Sequence, residues 1–273
     1  MKRDLRASLS FGVRFYLGIG VPTRYRRGPD GRFRTAAGRT PELLRDLRAL
    51  HRGEADATVG TVNRFNFRCT RVTLAASGES FFVKDFPRHH LAHDVERRLG
   101  LSRVDRAWRA AYLLPRFGVL TPAPVGSVQR PDADGAVTEY LVTEWVEGTL
   151  TFFKEFAAAA TPAAREVRLR EFVAFMALCH RRGVYLRDLV RNVLVREGEG
   201  RREHWLTDLD GIHPLRLVNT RRILFHMRQL AYYCPLTPEE ARLVRDLYLE
   251  GEEGDWAERV LAALGGKGSG ARP

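Results

Sequence analysis

The sequence predicts an α+β fold, with strands gathered in the first half and helices in the second. Three observations predict it. Residues 58–86 alternate polar and apolar side chains around the turn ASGES, residues 119–150 read as strand, turn and strand, and beyond about residue 150 the apolar positions recur at helical spacing. A chain of 273 residues is long enough to bury a sizeable core as one large domain or two lobes.

Taken in order, residues 1 to about 50 include RYRRGPDGRFRTAAGRT, dense in Gly, Pro and Arg and without periodicity. That pattern is expected of a basic loop or a partly disordered arm. The flank SFGVRFYLGI mixes aromatics with arginine and is readable as a membrane-surface segment or as a strand packed on the sheet. From Thr58 the run TVNRFNFRCTRVTLAA and then FFVKDF predict a hairpin that ends on Lys84. No glycine-rich phosphate loop is present in it, so any phosphate grip there falls to VNRFNF, through backbone amides and Arg64 or Asn66. Two amphipathic helices follow, RHHLAHDVERRLG and SRVDRAWRAAYLLPRFG, separated by Gly100 and capped by Ser102. His89, His90 and His93 have helical spacing but no acidic or cysteine partner nearby in sequence, which favours a wet helix face over a metal site.

The stretch LVTEWVEG, with Glu144 to Gly148, has the character of a hinge whose backbone groups can meet the edge of a purine base. Residues 150–182 are expected to be helical, leading through Gly183 into a loop with Asp188 and Asn192, the apolar strand VLV, and a second strand that delivers Asp208 and Asp210. RRILFHMRQLAYYC, TPEEARLVRDLYLEG and DWAERVLAALG are expected as helices, and GGKGSGARP as a flexible tail. Two carboxylates and an amide arriving from neighbouring strand ends suit phosphoryl transfer, which asks a protein to position groups and neutralise charge. Asp188 can accept the proton of an incoming hydroxyl, while Asn192 and Asp208 can offer oxygen to magnesium. Aspartates at strand ends are also ordinary turn residues, and the loop alone leaves both interpretations open.

The net charge of +12 and a pI near 10.2 imply attraction to something anionic: nucleic acid, phospholipid headgroups or an acidic glycolipid. An arginine-rich solvated surface accounts for it equally well. A nucleic-acid function rests on charge alone, since no aromatic-basic sheet motif or zinc spacing accompanies it. No apolar run reaches the roughly 18–20 residues of a spanning helix, and SLSFGVRFYLGIGVP lacks a small-residue cleavage pattern, so neither a transmembrane segment nor a signal peptide is expected. Cys69, Cys179 and Cys234 are far apart and set among apolar residues, which favours reduced thiols and a cytoplasmic setting.

In order, Lys84 on a strand, the helix ending WRAAYLLPRFGVLTPAPVG, the hinge LVTEWVEG, the loop GVYLRDLVRNVLV and the strand end WLTDLD resemble the Kdo/WaaP lipopolysaccharide core kinases of the protein-kinase-like superfamily. The resemblance covers about residues 58–250. It implies a two-lobed fold with a small antiparallel-sheet N-lobe at 58–147 and a mainly helical C-lobe at 148–264, preceded by a basic, partly flexible extension at 1–57 and followed by a tail at 265–273. It also implies ATP- and magnesium-dependent transfer of the γ-phosphoryl group to a Kdo or heptose hydroxyl of the lipopolysaccharide core or lipid A glycolipid, by a peripheral enzyme on the cytoplasmic face of the inner membrane. Carried onto this chain, Lys84 holds phosphates, Glu144 lies in the nucleotide-binding hinge, Asp188 is the catalytic base, and Asn192 and Asp208 bind magnesium.

The chain departs from the family pattern in three places. Leu186 stands where a histidine is usual, Asp188 and Asn192 are one residue closer than expected, and Ala107 occupies a helix position that often carries the glutamate partner of the lysine. Asp105 or Glu96 is then the expected substitute acid. These departures leave two alternatives beside the sugar kinase: a kinase of a protein side chain or small molecule, and a catalytically weak kinase-like binding protein.

Overall fold

In a computed structural model of the chain, residues 5–22, 25–28, 31–56, 58–66, 68–86, 96–99, 101–131, 137–198, 200–212, 218–249 and 255–265 are described. His89, His90 and His93, and the residues 266–273 expected as a tail, lie outside that set.

A seven-stranded antiparallel sheet is formed by β1 (Arg26–Gly28), β2 (Gly31–Thr35), β3 (Gly60–Asn66), β4 (Cys69–Leu74), β5 (Ser80–Phe86), β6 (Pro124–Pro131) and β7 (Val137–Glu144), in the order β1-β2-β6-β7-β5-β4-β3. Strand alternation sends Phe81 and Val83 of β5 to one face and Phe82 and Lys84 to the other. The first face is covered by α2 (Pro41–Arg52), whose Leu44, Leu47 and Leu50 close a cluster with Val72, Phe81, Val83, Val125 and Val142. Thr40 caps α2 by accepting the Leu43 N–H, Pro41 opens it, and Gly53 ends it at φ 74, where a side chain would be strained.

The first 57 residues therefore differ from expectation. The Gly- and Pro-rich stretch is a hairpin closed at the pair Gly28↔Gly31, and β2 joins β6. The segment SFGVRFYLGI is neither a strand nor a free surface peptide: all but its last two residues lie in helix α1 (Leu5–Leu17), which buries Phe11 and Phe15, one helical turn apart, in the larger core cluster. Helix α3 (Arg103–Leu113) lies on the opposite side of the sheet from α2 and is followed by a 3-10 turn at Leu114–Phe117. Ser102 and Asp105 form a reciprocal capping box at its start.

After the connector the chain is not helical at once. A short strand β8 (Thr149–Thr151) pairs with β9 (Val193–Glu197), which pairs with β10 (Arg202–Leu206). The remaining elements are α4 (Phe152–Ala157), α5 (Pro162–Arg181), α6 (Thr220–Tyr233), α7 (Pro238–Leu249) and α8 (Asp255–Gly265). Their inner faces share the larger core with α1 and α3. The Leu206 N–H donates to Leu120 O at 2.8 Å, tying the end of β10 to the segment that enters β6. No helix among the described residues is long and apolar enough to cross a membrane. All three cysteines are free, with Cys179 and Cys234 buried.

Candidate active site

Lys84 stands on β5 with its backbone paired on both sides, opposite Cys69 of β4 and Leu141 of β7. Its ammonium donates to Asp210 Oδ1 at 2.7 Å and makes a second, shorter contact with Asp208 Oδ1. Lys84 thus faces the end of β10 across a sequence separation of 124 residues.

Two features bring Asp208 there. The Thr207 N–H and hydroxyl both donate to Asn192 O, at 2.8 and 3.0 Å, so the strand end is stitched to the end of the preceding loop. Asp208 then adopts φ 58 and ψ 44, and it has the only positive φ of any non-glycine residue among those described. Backbone strain of this kind concentrates at functional sites, and here it aims the carboxylate at Lys84. Asn192 Nδ2 lies 3.4 Å from Asp208 Oδ2, so the shortened loop still delivers the amide to the aspartate. It does so by tightening into a 3-10 turn at Val190–Asn192, in which the Asn192 N–H reaches Asp188 O at 3.2 Å and Leu189 O at 3.1 Å.

Asp188 itself is half-buried and is held by α6 rather than by the Lys84 cluster. Gln229 Nε2 donates to Asp188 Oδ1 at 3.1 Å and to Arg187 O at 3.0 Å. Leu186, in the place of the expected histidine, is buried; its carbonyl accepts from His226 Nε2 at 2.9 Å.

The acid expected on α3 as the partner of Lys84 is absent from that position. Asp105 is ion-paired with Arg34 at 2.8 Å, deep in the sheet–helix interface, and Glu96 lies 3.6 Å from Arg106. Asp210 takes that place, with its side chain 4 % exposed. Arg103 from α3 donates to Asp210 Oδ2 through Nε at 2.7 Å and through Nη2, and Arg106 Nε donates to Asp210 O at 3.2 Å. No local pattern marks Arg103 or Gln229 as a site residue, and for Asp210 the signal is the repeated aspartate of TDLD.

Two further stretches singled out in the sequence have partners of their own. The Arg64 guanidinium donates to His51 O at 3.0 Å, turned toward α2 and away from Lys84, while Asn66 Oδ1 accepts the Arg68 N–H at 2.8 Å to close the turn. At the connector, sheet pairing occupies the first amides, Glu144 N–H to Ala123 O at 2.9 Å and Trp145 N–H to Ser80 O at 3.0 Å. The Glu144 carboxylate is bound to Arg39 at 2.8 Å, and Trp145 is the first connector residue past β7. Beside it, Phe65 stacks on Trp145 with ring centroids 5.5 Å apart and contacts Phe82, which shares the Lys84 face.

The electrostatics follow from this packing. Burial works against the Lys84 ammonium, but the Asp210 and Asp208 carboxylates outweigh it and hold its pKa above the ordinary lysine value. Burial also disfavours ionised Asp210, yet Lys84 and Arg103 overcome this and keep its pKa below the usual carboxylate range. Asp208 is pushed upward by burial and by the adjacent Asp210 charge, against the pull of Lys84. A cation arriving at Asp208 therefore meets a carboxylate shared between the Lys84 ammonium and the Asn192 amide.

Asn192 and Asp208 are an all-oxygen pair once the Asn192 amide turns by half a rotation. Two such ligands fit magnesium, which takes one or two protein oxygens and completes its shell with phosphate and water. Among the described residues no group of three or more His, Cys, Asp or Glu is arranged to hold a metal.

No protein-family model matches the sequence, and no curated protein matches it. Among solved structures the fold is similar to WaaP in complex with acyl carrier protein, with a TM-score of 0.53 and 18% identity over 86% of this chain and 100% of that one. A MAP kinase from Leishmania major, LmaMPK10, aligns with a TM-score of 0.42 and 16% identity over 82% of this chain and 66% of that one. The likeness to WaaP at this identity speaks to architecture, and it makes the chain an α+β protein of the two-lobed, protein-kinase-like fold.

Proposed function

We propose that the protein is an ATP- and magnesium-dependent phosphotransferase that acts on a sugar hydroxyl, Kdo or heptose, of the lipopolysaccharide inner core. The observation that carries the phosphotransferase assignment is the convergence of Lys84, Asp208 and Asn192 from three separate elements into one hydrogen-bonded cluster. In this assignment Lys84 turns from Asp208 toward the nucleotide phosphates while keeping its bond to Asp210. Asn192 and Asp208 hold magnesium, which when bound neutralises charge on the transferring group. Asp188 Oδ1 is committed to Gln229, leaving Oδ2 as the oxygen that takes the proton of the acceptor hydroxyl. Phe65, Phe82 and Trp145 offer an aromatic wall beside the Glu144–Gly148 connector for the purine.

The choice of acceptor draws on the motif order shared with the lipopolysaccharide core kinases, on the architectural likeness to WaaP, and on the net charge of +12, which suits an acidic glycolipid at an anionic membrane surface on the cytoplasmic side. The test is the mass of core oligosaccharide from cells with and without the gene. Loss of a phosphate in its absence is the expected result, and identical spectra would remove the acceptor assignment.

A further inference from the structure

Resting on the phosphotransferase assignment, the geometry points to Arg103 as a positioning residue of the phosphate site, holding one oxygen of Asp210 so that the other is presented to Lys84. Helix α3 opens with arginine at 103 and has another at 106. A helix N-terminus carries partial positive charge and disfavours cations, so two arginines there break a local rule, and such breaks mark sites where something else compensates. Asp210 is the compensation. Its two oxygens are divided, with Oδ1 on Lys84 Nζ at 2.7 Å and Oδ2 on Arg103 Nε at 2.7 Å, and both cations lie over the Phe86 ring, at 5.0 and 5.3 Å from its centre.

Arg103 is itself fixed from behind. The Ser102–Asp105 capping box and the Asp105–Arg34 ion pair at 2.8 Å anchor the first turn of α3. The Arg34 guanidinium in turn lies between the rings of Tyr25, at 4.5 Å, and Trp108, at 4.8 Å. The cluster of Lys84, Arg103, Asp208 and Asp210 is formally neutral. Without Arg103 it carries one negative charge, Asp210 is free to swing both oxygens onto Lys84, and an incoming polyphosphate meets repulsion. With Arg103 in place, Lys84 keeps one oxygen as a tether and has donors to spare for phosphate.

The experiment is calorimetric titration of MgATP into the wild type, Arg103→Ala and Arg103→Lys, with thermal melts of each. Arg103→Ala is expected to weaken MgATP binding about tenfold or more, with little change in melting temperature because the side chain is 35 % exposed. Arg103→Lys is expected to recover much of the loss, and in steady state KM should rise more than kcat falls. Unchanged affinity in Arg103→Ala overturns the proposal, as does a loss matched in both variants by a fall in melting temperature, which would mean that Arg103 only holds α3 in place. If Arg103→Ala does not fold, Arg103→Gln keeps a donor without charge, and a tenfold loss or none decides in the same way. A wild type that binds no MgATP removes the phosphotransferase assignment and this one with it, whereas binding that is indifferent to residue 103 removes this one alone.

Discussion

Lys84 divides its ammonium between Asp208 and Asp210, and Asp188 is set apart from both, oriented by Gln229. This separation gives the three aspartates different work. Asp188→Asn preserves shape and an acceptor for Gln229 but cannot take a proton. Single-turnover transfer should therefore fall by roughly 10²–10⁴-fold, the usual contribution of a general base, while MgATP affinity stays near wild type. Equal transfer in both proteins would take Asp188 out of the reaction. At this scale the sequence was readable in part. Asp188, Asn192 and Asp208 stand out as polar residues placed where a helix or strand hands over to a loop, and Lys84 as a charge in an apolar strand. Asp208 and Asp210 are chemically alike, and what distinguishes them is the left-handed backbone at 208, where no glycine announces it. Arg103 and Gln229 reach their partners across 107 and 41 residues, a distance no local pattern encodes. One compositional signal stands out: of 45 Lys and Arg, only four are lysine, so a strand lysine in so arginine-rich a chain is conspicuous.

At the scale of elements, α6 runs beside the loop that carries Asp188 and touches it through successive inward residues. Arg222 lies over the Tyr185 ring at 4.7 Å, His226 bonds Leu186 O, and Gln229 bonds Arg187 O and Asp188. Behind His226 a buried relay continues, with His226 Nδ1 2.8 Å from His180 Nε2, and His180 Nδ1 2.7 Å from the Tyr248 hydroxyl. A carbonyl only accepts, so His226 donates from Nε2, accepts at Nδ1 from His180, and His180 accepts from Tyr248. Both rings are neutral, and a further proton would break a bond and bury a charge. Burial accordingly holds His180 well below the ordinary histidine pKa and brings His226 to about 4, as it does His51 and His204. Because the folded values lie below the unfolded one near 6.5, the unfolded chain takes up protons first as the pH falls. The stabilisation is complete above pH 6.5 and is lost on the way down to 4, by about 2 kcal/mol at pH 5 for each of His51, His204 and His226. Thermal melts should thus show a clear drop between pH 7 and 5; a flat profile would contradict the neutral relay. The helices α6 to α8 are legible because their apolar positions keep a 3.6-residue period. Helix α1 is not, since arginine and aromatics interrupt its stripe, and the β1–β2 hairpin is hidden in a composition that reads as loop.

At the scale of the whole molecule, the family resemblance was enough to foresee two lobes, but not that the first 57 residues help to build the sheet. Their leucines Leu44, Leu47 and Leu50 are each almost fully buried against its inner face. Burial of such side chains is worth about 1.5–3 kcal/mol apiece, comparable in sum to the roughly 5–15 kcal/mol that holds a typical domain together. A fragment beginning at residue 58 should therefore lose cooperative melting by circular dichroism. A fragment that melts like the full chain would show the sheet to be self-sufficient. Several arginines are likewise part of the architecture: Arg34 in its aromatic sandwich, Arg165 on Glu240 at 2.6 Å, and Arg202 on Glu171 and Glu197, both at 2.8 Å.

The strand order leaves β1 and β3 as the two open margins of the sheet. The first is three residues long and displays Arg26 and Arg27 to solvent; the second is kinked by a bulge between Arg64 and Asn66. Shortness, charge and irregularity are the devices that keep a sheet from recruiting foreign strands. Two copies of the protein meeting margin to margin would bring guanidinium against guanidinium or straight strand against bent, so part of the positive charge guards the sheet against self-association.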